Sequence, residues 1–235
     1  MGRRRMSENA HQYTVNGVNI PVVKSIKDLG VFISSDLSFS VHCSKIAAKA
    51  SQSVGLIFRA FVSHSLSFMV KMFTSRVRPI MEYKCELWSP HLLGDIDKIE
   101  SVQRSFTKRI NGLYNLSYQQ RLKICNLEPL ELRRMKRDLI FVYKIRHSLV
   151  KLNFLEFFRL APTVGTRGHS EKLYAITVST DRSLASFPNR VVNSWNKLPE
   201  NVVKSPTLFQ FKANLEHETY NLIPMLRGRA FRNSS

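Results

Sequence analysis

Carboxylates are the first place to look for a reaction, because two divalent metals or an acid–base pair need them close together. The chain has six aspartates, and no two are adjacent. The nearest approach to a pair is Asp95-Ile96-Asp97. That string reads better as the cap and first turn of a helix, where the helix dipole favours negative charge. Seven histidines are scattered without an HxxxH or HExxH spacing, so no metal site is expected. His42 reads as a packing or helix-start residue. Cys43, Cys85 and Cys125 make no CxxC and are odd in number, which favours buried thiols over a disulfide framework or a zinc knuckle. No Gly-rich phosphate loop occurs, and no Ser, His and acid are marked out by spacing as a triad. Trp88 and Trp195 read as core anchors in preference to base-stacking platforms.

The basic residues are a different matter. Lys and Arg number 36 against 17 Asp and Glu, giving a net charge of +19 and a pI of about 10.3. Such a charge opposes compaction unless an anion is near, and the cations run along the whole chain. Nucleic acid is the expected partner. Helical spacing sorts the candidates. Arg133, Arg137 and Lys144 fall within about 40° of one another on a single helix. None lies on that helix's apolar arc of Leu132, Met135, Leu139, Val142 and Ile145, so the face is expected to be dispensable for folding. Arg146 falls on the apolar side, which the periodicity leaves unexplained. Arg104 and Lys108 oppose Ile96, Ile99, Phe106 and Ile110 on a second helix. Lys45 and Lys49, with Arg59, oppose Ala47, Ala50, Val54 and Ile57 on a third. Arg167 lies in the polar string Thr166-Arg167-Gly168-His169.

These residues need elements to hold them. A loose basic start (1–11) precedes a hairpin at 13–20, turned by Asn16-Gly17, and a strand at 29–33. From about residue 40 the period becomes helical. Helices are expected at 41–61, 66–77 (interrupted at Arg78-Pro79), 79–88, 95–110, 117–125 capped by Ser117, and 128–150 with Pro129 in its first turn. A loop at 162–169, a possible strand pair at 173–180 and short helices at 190–198 and 206–218 follow, then a basic tail. The fold class is mainly α with a small N-terminal β element. No apolar stretch approaches the roughly 20 residues of a membrane span, and the start lacks a secretory signal's apolar segment. A nuclear or cytoplasmic, intracellular protein without membrane contact is expected.

Several short strings carry a resemblance. Asp28-Leu29-Gly30-Val31, Leu37-Ser38-Phe39 and His42 come first. Val77-Arg78-Pro79-Ile80-Met81-Glu82-Tyr83 and Leu87-Trp88-Ser89-Pro90 follow. Next are Ile99-Glu100-Ser101-Val102-Gln103-Arg104-Ser105-Phe106-Thr107, then Tyr118-Gln119-Gln120-Arg121-Leu122, then Leu130-Glu131-Leu132-Arg133-Arg134. Phe187-Pro188-Asn189-Arg190 and Trp195-Asn196-Lys197-Leu198-Pro199 close the series. In this order, over residues 13 to 215, they resemble the part of non-LTR (LINE-type, jockey-like) retrotransposon reverse transcriptases that follows the palm.

The resemblance implies a residual palm or primer-grip β element (12–38), a helical thumb-like domain (39–160), a C-terminal segment with short helices (161–220) and a basic tail (221–235). It also implies what is missing: the fingers, and the palm with its aromatic-x-Asp-Asp turn. The chain alone is therefore expected to be inactive and to need no cofactor, although the full-length enzyme of the family would use Mg2+. What it keeps is a grip on a template–primer or RNA–DNA duplex, without sequence preference, through Lys45, Lys49, Arg104, Lys108, Arg133, Arg137, Lys144 and Arg167. Two other readings fit the same residues: a stand-alone RNA- or DNA-binding helical protein derived from such an element, and a decayed reading frame.

Overall fold

The computed structural model describes residues 13–61, 65–162, 169–176, 183 and 185–226. It is mostly helical with a small N-terminal β element, as the periodicity requires. Strand β1 (Thr14–Val15) pairs antiparallel with β2 (Val18–Asn19), and the turn residues Asn16 and Gly17 both take positive φ, 51° and 78°. This is the hairpin that Asn-Gly specifies. A second hairpin, unforeseen in its first strand, joins β3 (Ser25–Asp28) to β4 (Val31–Ser34), with Ile26 opposite Ile33 and Lys27 opposite Phe32. Its turn holds Leu29 at φ 43° and Gly30 at φ 90°. A Cβ on Gly30 would sit 3.2 Å from the Tyr83 ring, and the Tyr83 hydroxyl donates to the Leu29 carbonyl at 3.3 Å. Glycine is needed there twice over, for the backbone and for the approach. Residues 13–30 are exposed throughout, Val31 is buried in the core, and Ile33 packs against it half-buried.

Helix α1 (Ser40–Ala60) buries the face bearing Ala47, Ala50, Val54 and Ile57. The next helix, α2 (Leu66–Met72), runs into a widened turn at Phe73–Val77 and then α3 (Arg78–Glu82). The interruption expected at Arg78-Pro79 is this turn, and the helix continues past it. Pro79 has no N–H, and its ring would strike the Ser75 carbonyl in a regular helix. Bonding the Arg78 N–H to the Phe73 carbonyl, five residues back, relieves that collision and keeps Phe73 and Val77 buried. Lys84, at φ 51°, separates α3 from α4 (Cys85–Trp88).

Helix α5 (Leu93–Lys108) begins before Asp95, so Asp95 sits in the first turn and is not its cap. Its carboxylate instead accepts from Ser40 Oγ and pairs with Lys98 at 3.2 Å. With Phe58 and Phe106 5.8 Å apart at the far ends, α1 and α5 run side by side in parallel. Ser117 caps α6 (Tyr118–Ile124) in a reciprocal box with Gln120, as expected. Helix α7 (Leu130–Arg146) starts after Pro129, and the buried Glu100 accepts its first N–H at 2.9 Å.

Two cores result. One packs β4, α1 to α6 and Leu130 around Phe73, Trp88 and Phe106. The other packs α7 against α8 (Phe154–Phe157), α9 (Phe187–Asn196), α10 (Glu200–Val203), α11 (Leu208–His217) and α12 (Thr219–Leu222) around Trp195, Tyr143 and Phe211. The helical segment 39–160 thus contributes to both. The expected strand pair at 173–180 reduces to one bridge, Leu160 to Leu173, and residues 177–180 lie outside the described residues. Trp88 and Trp195 are each 1% exposed and donate to the Tyr83 and Glu171 carbonyls, which settles them as core anchors. Cys43, Cys85 and Cys125 are free and buried. His42 packs edge-on to Trp88, and its Nδ1 accepts from the Phe32 N–H at 3.3 Å.

Candidate nucleic-acid interface

The expected α7 stripe does not face open water. Arg133 binds Glu82 through two nitrogens, at 2.5 and 3.2 Å, with Glu128 at 3.6 Å. Arg137 binds Glu86 at 3.1 Å and lies 3.6 Å from Glu82. The Glu82 side chain is only 7% exposed. Burial opposes the charge on Arg133, but the hydrogen bond and charge of Glu82 outweigh it and hold the guanidinium above its ordinary pKa. These two arginines stitch α7 to α3 and α4. A phosphate would have to displace carboxylates already in place, at the cost of stranding a buried charge. The face is therefore structural, contrary to the expectation that folding can spare it. Lys144 alone of the stripe has no ion pair among the described residues.

The same layer absorbs other cations. Lys136 sits between Glu128 and Glu216, and Arg190 clamps Asp138 at 2.9 Å through two nitrogens. Arg146, unexplained by periodicity, makes a two-pronged bond to Glu171 at 2.8 and 3.2 Å and lies over the Phe154 ring. An arginine on the apolar side is thus a bridge to the C-terminal segment.

The remaining candidates are held differently. Lys45 Nζ lies 3.8 Å from the Phe32 ring centre, and Lys49 is exposed on the same helix. Arg104 lies 5.2 Å from the Tyr118 ring, Lys108 4.7 Å from Tyr114, and Arg109 4.0 Å from Phe58. None of these five has a carboxylate within ion-pair distance among the described residues. An aromatic face orients a cation yet leaves its N–H groups available to an anion. Arg121 is buried and, among the described residues, donates to neutral oxygens: Thr107 Oγ1 at 3.1 Å, the Leu116 carbonyl at 2.6 Å and the Arg104 carbonyl at 3.5 Å. Burial pulls its pKa below the ordinary value, and Arg104 beside it adds to the effect.

The sequence explains this contrast. Residues 37–81 carry Lys45, Lys49, Arg59, Lys71, Arg76 and Arg78 with no Asp or Glu at all. Residues 101–127 carry Arg104, Lys108, Arg109, Arg121 and Lys123, again with none. The fold brings the two acid-free segments together: Phe106 of α5 stacks on Phe73 at 4.4 Å and meets Phe58 of α1. Acids gather around α3, α4 and α7, and on α5 itself Asp95 pairs with Lys98 while Glu100 accepts from Tyr118. Periodicity singled out Arg104, Lys108, Lys45 and Lys49 but passed over Arg109, Arg121 and Lys123. The spacing of the acids, rather than of the bases, is the signal that finds them. Lys45 lies over Phe32 of β4 at one flank of α1, and Arg104 over Tyr118 of α6 at one flank of α5. Arg167 lies outside the described residues.

No group of three or more His, Cys, Asp or Glu able to hold a metal occurs among the described residues. Among them, too, no helix is long and apolar enough to cross a membrane.

Against known proteins, no family model matches the chain, and no solved structure does. A curated protein of Caenorhabditis elegans, uncharacterized protein B0403.1, is 24% identical over 119 residues. The match covers 49% of this chain and 60% of that relative, so the chain spans less than two thirds of the relative's length.

Proposed function

We propose that this chain is the nucleic-acid-gripping part of a reverse transcriptase of the non-LTR retrotransposon kind, acting on a template–primer duplex without choosing its sequence. The observation that carries the reading is the surface built from two acid-free segments, where Lys45, Arg104, Lys108 and Arg109 rest on aromatic rings instead of carboxylates. Gripping a duplex by its backbone needs rigid helices with uncommitted cations on one side and a core on the other. Helices α1 and α5 supply both: Ala50, Val54, Ile99 and Phe106 inward, and Lys45, Lys49, Arg104, Lys108 and Arg109 outward. The ordered strings quoted above supply the link to reverse transcriptases. Under this reading the polymerase chemistry and its Mg2+ belong to sequence outside this chain, the fingers and palm are its structural partners, and its place is the nucleus or cytoplasm.

The test is binding of the 235-residue chain to an RNA–DNA hybrid across a salt series. Salt-sensitive binding that is indifferent to sequence supports the reading. Failure to bind any nucleic acid at low salt would remove it.

A further inference from the structure

We propose that the groove at the C-terminal end of α5 holds an unpaired nucleotide of a single-stranded nucleic acid. The base lies on the Tyr114 ring and the adjoining phosphates meet Lys108 and Arg109. The inference rests on the nucleic-acid reading above and gives that surface a second, distinct ligand.

The groove has a volume of about 700 Å³ and is lined by Phe58, Ser105, Lys108, Arg109, Asn111 and Tyr114. Three features point to a nucleotide. The first is Tyr114, which is 67% exposed and, among the described residues, has no hydrogen-bond partner for its hydroxyl. Its ring serves no core, unlike Tyr118, whose hydroxyl binds Glu100, or Tyr143, whose hydroxyl binds the Ser205 carbonyl. An exposed ring is a stacking platform for any base, because every base has a π face. The second is the pair of cations. Lys108 Nζ stands 4.7 Å from the Tyr114 ring centre and the Arg109 guanidinium 4.0 Å from that of Phe58, so aromatic faces fix both beside the groove with donors to spare. The third is the absence of any carboxylate in the segments that form it, which removes the usual competitor for a phosphate.

Single strand is favoured over duplex by the same geometry. A base inside a duplex has both faces covered by its neighbours, so it cannot reach a tyrosine ring. Only an unstacked base can. Asn111, exposed on the groove wall, offers an amide donor and acceptor to a base edge. Lys108 and Arg109 then belong both to the duplex grip, with Lys45, Lys49 and Arg104, and to this groove at Tyr114, so that the paired and unpaired parts of one substrate meet there.

The experiment measures affinity of the full chain for two probes, a short fluorescein-labelled oligothymidylate and a blunt RNA–DNA hybrid. It compares wild type with Tyr114→Ala, Tyr114→Phe and Lys108→Gln, with circular dichroism confirming the fold of each. Tyr114→Ala is expected to weaken oligothymidylate binding about tenfold and leave hybrid binding unchanged, while Tyr114→Phe restores it. Lys108→Gln is expected to flatten the salt slope on oligothymidylate by about 0.7. Unchanged oligothymidylate binding by folded Tyr114→Ala overturns the groove, as does an equal loss on both probes. Hybrid binding without oligothymidylate binding by wild type overturns the groove alone. Binding of neither probe overturns the groove together with the reading on which it rests.

Discussion

Arg133 separates the two accounts of helix α7. If its face were a phosphate grip, Arg133→Ala would weaken nucleic-acid binding and spare the fold. The structure requires the reverse. Removing the guanidinium strands the Glu82 carboxylate, whose side chain is 7% exposed, without its two-pronged partner. Breaking a fully buried pair from one side costs about 3–5 kcal/mol. Here the Arg133 side chain is 26% exposed, and Arg137 and Arg78 remain within 3.6 and 3.8 Å of Glu82, so about 2 kcal/mol is the better figure. At roughly 2–4 °C per kcal/mol for a chain of this size, the melting temperature should fall by about 4–8 °C. Thermal unfolding followed by circular dichroism measures this, with Lys108→Gln as the control expected to change stability by less than about 1 kcal/mol. An Arg133→Ala protein that melts like wild type but binds hybrid duplex poorly would refute the structural assignment of this face.

Burial holds the His42 pKa down at about 4, so the folded protein resists a proton that the unfolded chain accepts near 6.5. The unfolded state therefore binds more protons between these values, and the imidazole's contribution to stability is lost as pH falls from about 6.5 toward 4. Subtracting the urea midpoints of His42→Phe from those of wild type across that range isolates the effect. The subtraction is needed because burial pushes the Glu100 and Asp138 carboxyls up, which tilts the profile the other way. Gly30→Ala should cost about 1–2 kcal/mol through its φ of 90° and its approach to Tyr83, and should raise hydrogen exchange at Val31 before the helices. Primer extension by the chain alone, with Mg2+ or Mn2+, should be absent; extension lost on chelation would return the catalytic carboxylates to this chain.

The local elements were legible because their signals are local. Asn16-Gly17 states its turn and Ser117 with Gln120 its cap, and the period of α1, α5 and α7 follows from which residues must be inside. The α7 wheel found the buried Leu132, Leu139, Val142 and Ile145 but not the equally buried Arg134, Lys136 and Asp138, because a wheel cannot show what lies across from a face. Glu82 and Glu86 come from distant sequence and are brought to Arg133 and Arg137 only by packing. The same blindness hid Arg146, whose partner Glu171 lies beyond the helix's end. The widened turn before Pro79 escaped notice because proline predicts a collision without saying how the chain relieves it. The acid-free surface was present in the sequence as a gap in the carboxylates, a pattern that counting cations does not detect.

The central claim is that the acid-free surface, and not α7, meets nucleic acid. It is tested most directly by the salt dependence of hybrid-duplex affinity for wild type and for a variant with Lys45, Lys49, Arg104, Lys108 and Arg109 all changed to Gln. Five phosphate contacts predict a slope of log K against log salt of roughly −4 to −5 on the scale of B-form DNA, at about −0.9 per contact. The folded variant should lose most of that slope on every sequence alike. A folded variant that keeps the wild-type slope would place the contacts elsewhere on this +19 chain and contradict the account.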